Sequence, residues 1–105
     1  MMNKDIPLNK SEINELYDDA IRLWGEDTQI DMMIEECSEL IKALCKNKRR
    51  PKSFEVLYNV CEELTDVEIV LGQMKRIFDT EGKQSNKIKE EKLMKLKRKV
   101  CNESK

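Results

Sequence analysis

Two short acidic runs carry the residues best suited to chemistry: Glu35-Glu36-Cys37-Ser38-Glu39 and Glu62-Glu63-Leu64-Thr65-Asp66. On a helix, Glu36 and Glu39 lie one turn apart, as do Glu63 and Asp66. Side chains at i and i+3 have Cβ atoms about 5–6 Å apart, so each pair can share one ion. Two such pairs on facing antiparallel helices would make a box of four carboxylates. Acids crowded in a cleft repel one another and raise each other's pKa. A divalent cation removes that repulsion. The chain contains no histidine, which excludes a Cys/His zinc site and a Glu-x-x-His di-iron site. An all-oxygen ligand set suits Mg²⁺, with Mn²⁺ as a substitute. Bound Mg²⁺ keeps waters and commonly binds a substrate phosphate as well. The plain alternative is a solvated acidic face paired with lysines.

Helices must hold these residues in place. Asn9 and Glu12 form a capping box for a first helix over Lys10–Trp24. Its stripe is Ile13, Leu16, Tyr17, Ala20, Ile21 and Trp24, the 3,1,3 spacing of an amphipathic helix. Gly25 supplies its stop. A second helix is expected over Gln29–Lys46, capped by Asp27 or Thr28. Its stripe is Ile30, Met33, Ile34, Cys37, Leu40, Ile41 and Leu44. Met32 and Ala43 lie on the other side with Glu36 and Glu39, so this helix contacts protein on both sides and its carboxylates face a cleft. A basic loop follows, with Lys46, Lys48, Arg49, Arg50 and Lys52 around Pro51. The third helix runs over Ser53–Phe78, with Leu57, Val60, Cys61, Leu64, Val67, Leu71, Met74 and Phe78 as its stripe. Val56, Ile69, Val70 and Ile77 widen its apolar surface, as expected of a helix with more than one packing partner. Residues 79–87 read as a linker. A basic fourth helix follows over Ile88–Val100, contacting its neighbours through Ile88, Leu93, Leu96 and Val100.

The 105 residues are enough for one domain, with residues 1–8 as a flexible N-terminus. Charged residues make up 39 %, above the usual ~25 %. With only 3 Gly and 2 Pro, that composition points to long amphipathic helices. The net charge of −1 argues against a wholly basic nucleic-acid binder. Cys37 and Cys61 fall on apolar stripes and read as reduced core residues; no CxxC pair is present. No apolar leader and no run near ~18 apolar residues is visible, so the expected compartment is the reducing cytoplasm, without membrane association.

The segments EECSEL and EELTDVEIVL resemble the paired EExxE and ExxD motifs of the MazG-like, all-α nucleoside triphosphate pyrophosphatases. The similarity runs from about Ala20 to Leu96. It includes a WG-x-x-x-Q lead-in (Trp24, Gly25, Gln29) and a KL-x-K-L segment from Lys92 to Leu96. The resemblance implies an all-α, four-helix bundle assembled as a dimer or tetramer. It implies Mg²⁺-dependent hydrolysis of (d)NTP to (d)NMP and pyrophosphate. Glu36, Glu39, Glu63 and Asp66 would be metal ligands, and Glu35 would orient or deprotonate the attacking water. Trp24 and Gln29 would bind substrate, and Lys92 and Lys95 would contact the triphosphate. Glu90 stands where the family usually has an asparagine.

Trp24 also has the place of a core residue ending an apolar stripe, and Lys92 and Lys95 that of an exposed basic face. Glu62 and Glu68 read as surface residues. The competing function is a non-catalytic helical protein, for example a phage regulator, that binds nucleic acid or a partner through the fourth helix and the basic loop.

Overall fold

The computed structural model describes residues 7–50 and 53–104, which form four helices: α1 (Lys10–Trp24), α2 (Glu26–Arg49), α3 (Phe54–Phe78) and α4 (Lys83–Glu103). The all-helical, four-helix architecture is the one the hydrophobic periodicity predicts, and there is no strand among the described residues. The flexible segment expected over residues 1–8 lies outside the described residues up to position 6, as do Pro51 and Lys52 of the basic loop. None of the helices is long and apolar enough to cross a membrane.

The capping box of α1 is formed. Asn9 Oδ1 accepts from the Glu12 N–H at 2.8 Å, and Glu12 Oε1 accepts from the Asn9 N–H at 3.1 Å. Gly25, at φ 91°, ends α1 with its N–H on the Ile21 carbonyl, and its own carbonyl accepts from the Gln29 N–H. One residue therefore separates the two helices, and α2 begins at Glu26 rather than Gln29. Neither Asp27 nor Thr28 is the cap. Glu26 and Asp27 instead occupy the first turn, where negative charge meets the positive end of the helix dipole. At the far end α2 extends to Arg49, with Lys46, Lys48 and Arg49 in its last turn complementing the negative end. Ser53 caps α3, its Oγ accepting from the Val56 N–H. The expected linker is shorter than residues 79–87. The Asp79 carboxylate accepts from the N–H groups of Ser85 at 2.7 Å and Gln84 at 3.4 Å, which lets α4 start at Lys83.

The helices α2 and α3 form an antiparallel hairpin, and α1 packs across it, mainly against α3. The Tyr17 ring lies on Gly72, where a side chain would collide with it. One turn further along α3, Arg76 grips Asp18 with two bonds of 2.8 and 2.7 Å and also donates to the Thr80 carbonyl. The buried side chains on the hairpin, among the described residues, are Gln29 and Ala43 of α2 with Val56 and Val70 of α3. So α2 meets α3 through its Glu36 side, where the small Ala43 allows close approach. The outer part of its main apolar stripe faces away, leaving Ile34 63 % and Ile41 62 % exposed, while Ile30, Met33, Cys37 and Leu40 are half-buried. Cys61 is likewise exposed and Cys37 half-buried, not core. The helix α4 packs against none of the other three. Ile88, Leu93, Leu96 and Val100, expected to make contacts, are therefore exposed.

Candidate metal centre

The α2–α3 packing brings Glu36 of α2 beside Glu63 and Asp66 of α3. One carboxylate oxygen from each lies within 4.8 Å of the other two. The local reason is the register of the hairpin. Glu63 stands between the buried Val56 and Val70 on the contact face of α3, and so is drawn into the interface with them. Glu36 and Glu63 are half-buried, and Asp66 is exposed.

Loss of hydration raises the Glu36 carboxyl above its ordinary range, and the charges of Asp66, Glu63 and Glu35 and a hydrogen bond with Asp66 raise it further. Loss of hydration likewise raises Glu63, followed by the charges of Asp66, Glu39 and Glu62. Glu63 Oε2 is buried with no hydrogen-bond partner. No lysine or arginine among the described residues forms an ion pair with any of the three acids. A solvated acidic face would have lysines alongside it. Among the described residues no ion pair offsets the repulsion in this cluster, and its donor atoms are all oxygen, the set that Mg²⁺ or Mn²⁺ takes.

Glu39 does not join the three. It lines a neighbouring cavity of about 230 Å³ with Lys42, Lys46, Asn59 and Glu63, so Glu63 stands between the two groups. Glu35 is exposed and outside the cluster; its charge reaches Glu36, but its carboxylate does not share the cleft.

On the other side, Glu36 and Asp66 open onto a cavity of about 240 Å³ shared with Trp24, Gln29, Met32, Ile69 and Gln73. Gln29 is only 1 % exposed, yet its Nε2 has no acceptor, and Gln73 Oε1 has no donor. Burying amide groups unpaired is costly, so this cavity has an unfilled donor, an unfilled acceptor and an aromatic wall. Trp24, which also had a core reading, is mostly exposed here and borders the cavity. Gln73 was not foreseen, although it lies seven residues after Asp66, two turns along the same face. Lys92 and Lys95 are on the separate α4, and the fold does not bring them to the carboxylates of their own chain. No family model, curated protein or solved structure matches the chain.

Proposed function

We propose that this protein is a Mg²⁺-dependent nucleotide pyrophosphohydrolase that converts (d)NTP to (d)NMP and pyrophosphate. The observation that carries this reading is the uncompensated Glu36, Glu63 and Asp66 cluster opening onto a cavity with unsatisfied amides and an indole wall. Glu36, Glu63 and Asp66 would hold the metal, with Glu39 entering from the adjoining cavity. A bound divalent ion would offset the mutual repulsion of these acids and the negative charge of the polyphosphate. Trp24 offers a stacking face to the base, and Gln29 and Gln73 offer a donor and an acceptor. Glu35 is the residue we assign to the attacking water. That water adds to the α-phosphorus, its proton passes to a carboxylate, and the bond to the pyrophosphate leaving group breaks. The cleavage position and the Glu35 assignment rest on the resemblance to MazG-like pyrophosphatases. Lys92 and Lys95 would reach a triphosphate only from another copy. We place the protein in the cytoplasm as a homodimer or homotetramer.

A second reading is favoured by the free α4, which carries Lys83, Lys87, Lys89, Lys92, Lys95, Lys97, Arg98 and Lys99 against Glu90, Glu91 and Glu103. Such a helix suits nucleic acid, and this reading predicts salt-dependent binding that needs no Mg²⁺. The two are separated by incubating the protein with a panel of NTPs and dNTPs, with and without Mg²⁺. Monophosphate and pyrophosphate formed only with metal supports the hydrolase. Intact nucleotides together with salt-sensitive DNA or RNA binding support the alternative.

A further inference from the structure

We propose that the cavity beyond Glu63, bordered by Lys42, Lys46 and Asn59, is the subsite for the terminal phosphates of the substrate and for the pyrophosphate that leaves. This rests on the hydrolase reading above. It adds the direction in which the nucleotide lies and a phosphate-binding group on α2 of the same chain.

The hairpin orders its side chains along one groove. From its N-terminal end, α2 presents Gln29, Glu36 and Glu39, then Lys42 and Lys46. The antiparallel α3 meets them with Gln73, Asp66, Glu63 and Asn59. The carboxylates therefore separate two cavities of unlike chemistry. The cavity on the Gln29 side, about 240 Å³, has an indole wall and two amides, with Glu36 and Asp66 at its border. The cavity on the far side, about 230 Å³, has Lys42, Lys46 and Asn59, with Glu39 and Glu63 at its border. At about 1.5 Å rise per residue, Glu36 stands roughly 10 Å along α2 from Gln29 and roughly 9 Å from Lys42.

The acids beside them do not account for the two lysines. Glu39 and Glu63 border the same cavity, yet among the described residues neither Lys42 nor Lys46 forms an ion pair. The lysines lie at i and i+4, where like charges repel. Side chains on a helix lean toward its N-terminus, so both ammonium groups are carried back toward Glu39 and the carboxylate cluster. An ammonium is a compact charge with three donors, suited to phosphate oxygens, and one polyanion can meet both lysines at once. Half-buried Asn59 adds an amide from α3. A free anion would also meet Glu39 and Glu63, so the phosphate chain is expected to enter with its divalent ion bound.

With the base in the indole cavity and the terminal phosphates beside Lys42 and Lys46, the α-phosphate falls at the carboxylates between them. Water adds to the α-phosphorus and its proton passes to a carboxylate. The oxygen that bridged the α- and β-phosphorus leaves with the electron pair of the broken bond, and Lys42 and Lys46 meet the charge this adds to pyrophosphate. The reversed orientation would set a base among two lysines and two glutamates, and phosphates against an indole and a buried amide. The order of the two cavities thus supports cleavage at the α-phosphorus on grounds separate from the family resemblance.

The test is calorimetric titration of the full chain, in Mg²⁺, with inorganic pyrophosphate and separately with nucleoside monophosphates. Lys42→Ala and Lys46→Ala should each weaken pyrophosphate binding at least ~10-fold, and Lys42→Arg, which keeps the charge, should weaken it less. Monophosphate, which does not reach the lysines, should bind all three variants as it binds wild type. Lys10→Ala removes the same charge at the start of α1 and should change neither affinity. In turnover, the two alanine variants should raise KM for the triphosphate and the inhibition constant of pyrophosphate together. A wild type that hydrolyses nucleotide, with pyrophosphate held equally well by Lys42→Ala and Lys46→Ala, would overturn the subsite alone. Equal loss of monophosphate and pyrophosphate binding would also overturn it, because that pattern reports a disturbed hairpin. Lysine-dependent pyrophosphate binding by a chain that hydrolyses no nucleotide would uphold the anion site and overturn the hydrolase reading. A wild type that neither binds pyrophosphate nor hydrolyses nucleotide would overturn both.

Discussion

Replacing Gly72 by alanine probes the clamp that sets the position of α1, and through it Trp24. Alanine is favoured over glycine in a helix interior by about 1 kcal/mol. At Gly72 that gain is outweighed, because an added Cβ would fall inside contact distance of Tyr17 Cε2 and lie 3.0 Å from Cζ. Overpacking of this kind typically costs ~1–3 kcal/mol. The net expectation is destabilisation by about 1 kcal/mol, or ~4–8 °C in Tm for a domain of this size. In a Tyr17→Ala background the obstruction is gone, and the same substitution should stabilise by about 1 kcal/mol. The sign reverses, with a coupling of ~2 kcal/mol between the two positions. The assay is urea denaturation of all four members of the cycle at one protein concentration, followed by circular dichroism. Emission from the single tryptophan reports separately on α1, because Trp24 is its last residue, and should shift in Gly72→Ala alone. Additive effects within ~0.5 kcal/mol would refute the Tyr17–Gly72 packing as described.

Stability of the metal-free protein should depend on pH through Glu36 and Glu63. Both carboxyls are raised in the folded state, so the native state binds more protons than the unfolded one. Their contribution is complete below the ordinary glutamate value and is lost as pH rises through the raised folded values. Melts across that window should show a fall in Tm that is reduced in Glu36→Gln; a flat profile in wild type would contradict the crowding. Asp18 is lowered by its hydrogen bonds to Arg76, so its contribution is present above the ordinary aspartate value and fades as pH falls through the lowered one. Asp18→Asn should cost about 1 kcal/mol at neutral pH, less in high salt because the pair is partly exposed, and a salt-independent loss would contradict the ion pair. Mg²⁺ at ten times its dissociation constant should raise wild-type stability by ~1.4 kcal/mol, with the gain abolished in Glu63→Gln. An equal gain in that variant would place the ion elsewhere.

The local code was legible where one residue type governs the geometry. Asn9, Glu12 and Gly25 mark their helix ends because a cap is decided by immediate neighbours, whereas Ser53, read as the first residue of α3, is its cap. The starts of α2 and α4 were not, because Gly25 serves two helices at once and Asp79 reaches forward to Ser85, past the residues that looked like a linker. Which face of α2 packs inward was the harder question. Periodicity favours Ile34 and Ile41, yet the small Ala43 and the bracketing Val56 and Val70 draw the Glu36 side against α3. The same interface gathers Glu36, Glu63 and Asp66 and leaves Glu39 in the adjoining cavity, a distinction that i, i+3 spacing alone does not make. Gln73 was overlooked because a lone glutamine carries no spacing signal until the hairpin register puts it beside Gln29.

The most direct test of the central claim is the release of pyrophosphate and nucleoside monophosphate from NTPs and dNTPs by wild type, Glu36→Gln, Glu63→Gln and Asp66→Asn, each with Mg²⁺ and with chelator. Turnover by wild type with Mg²⁺ alone, reduced at least ~100-fold in each variant with helical content intact, is the predicted result. Turnover that persists in all three variants, or in chelator, would contradict a metal centre built from these carboxylates.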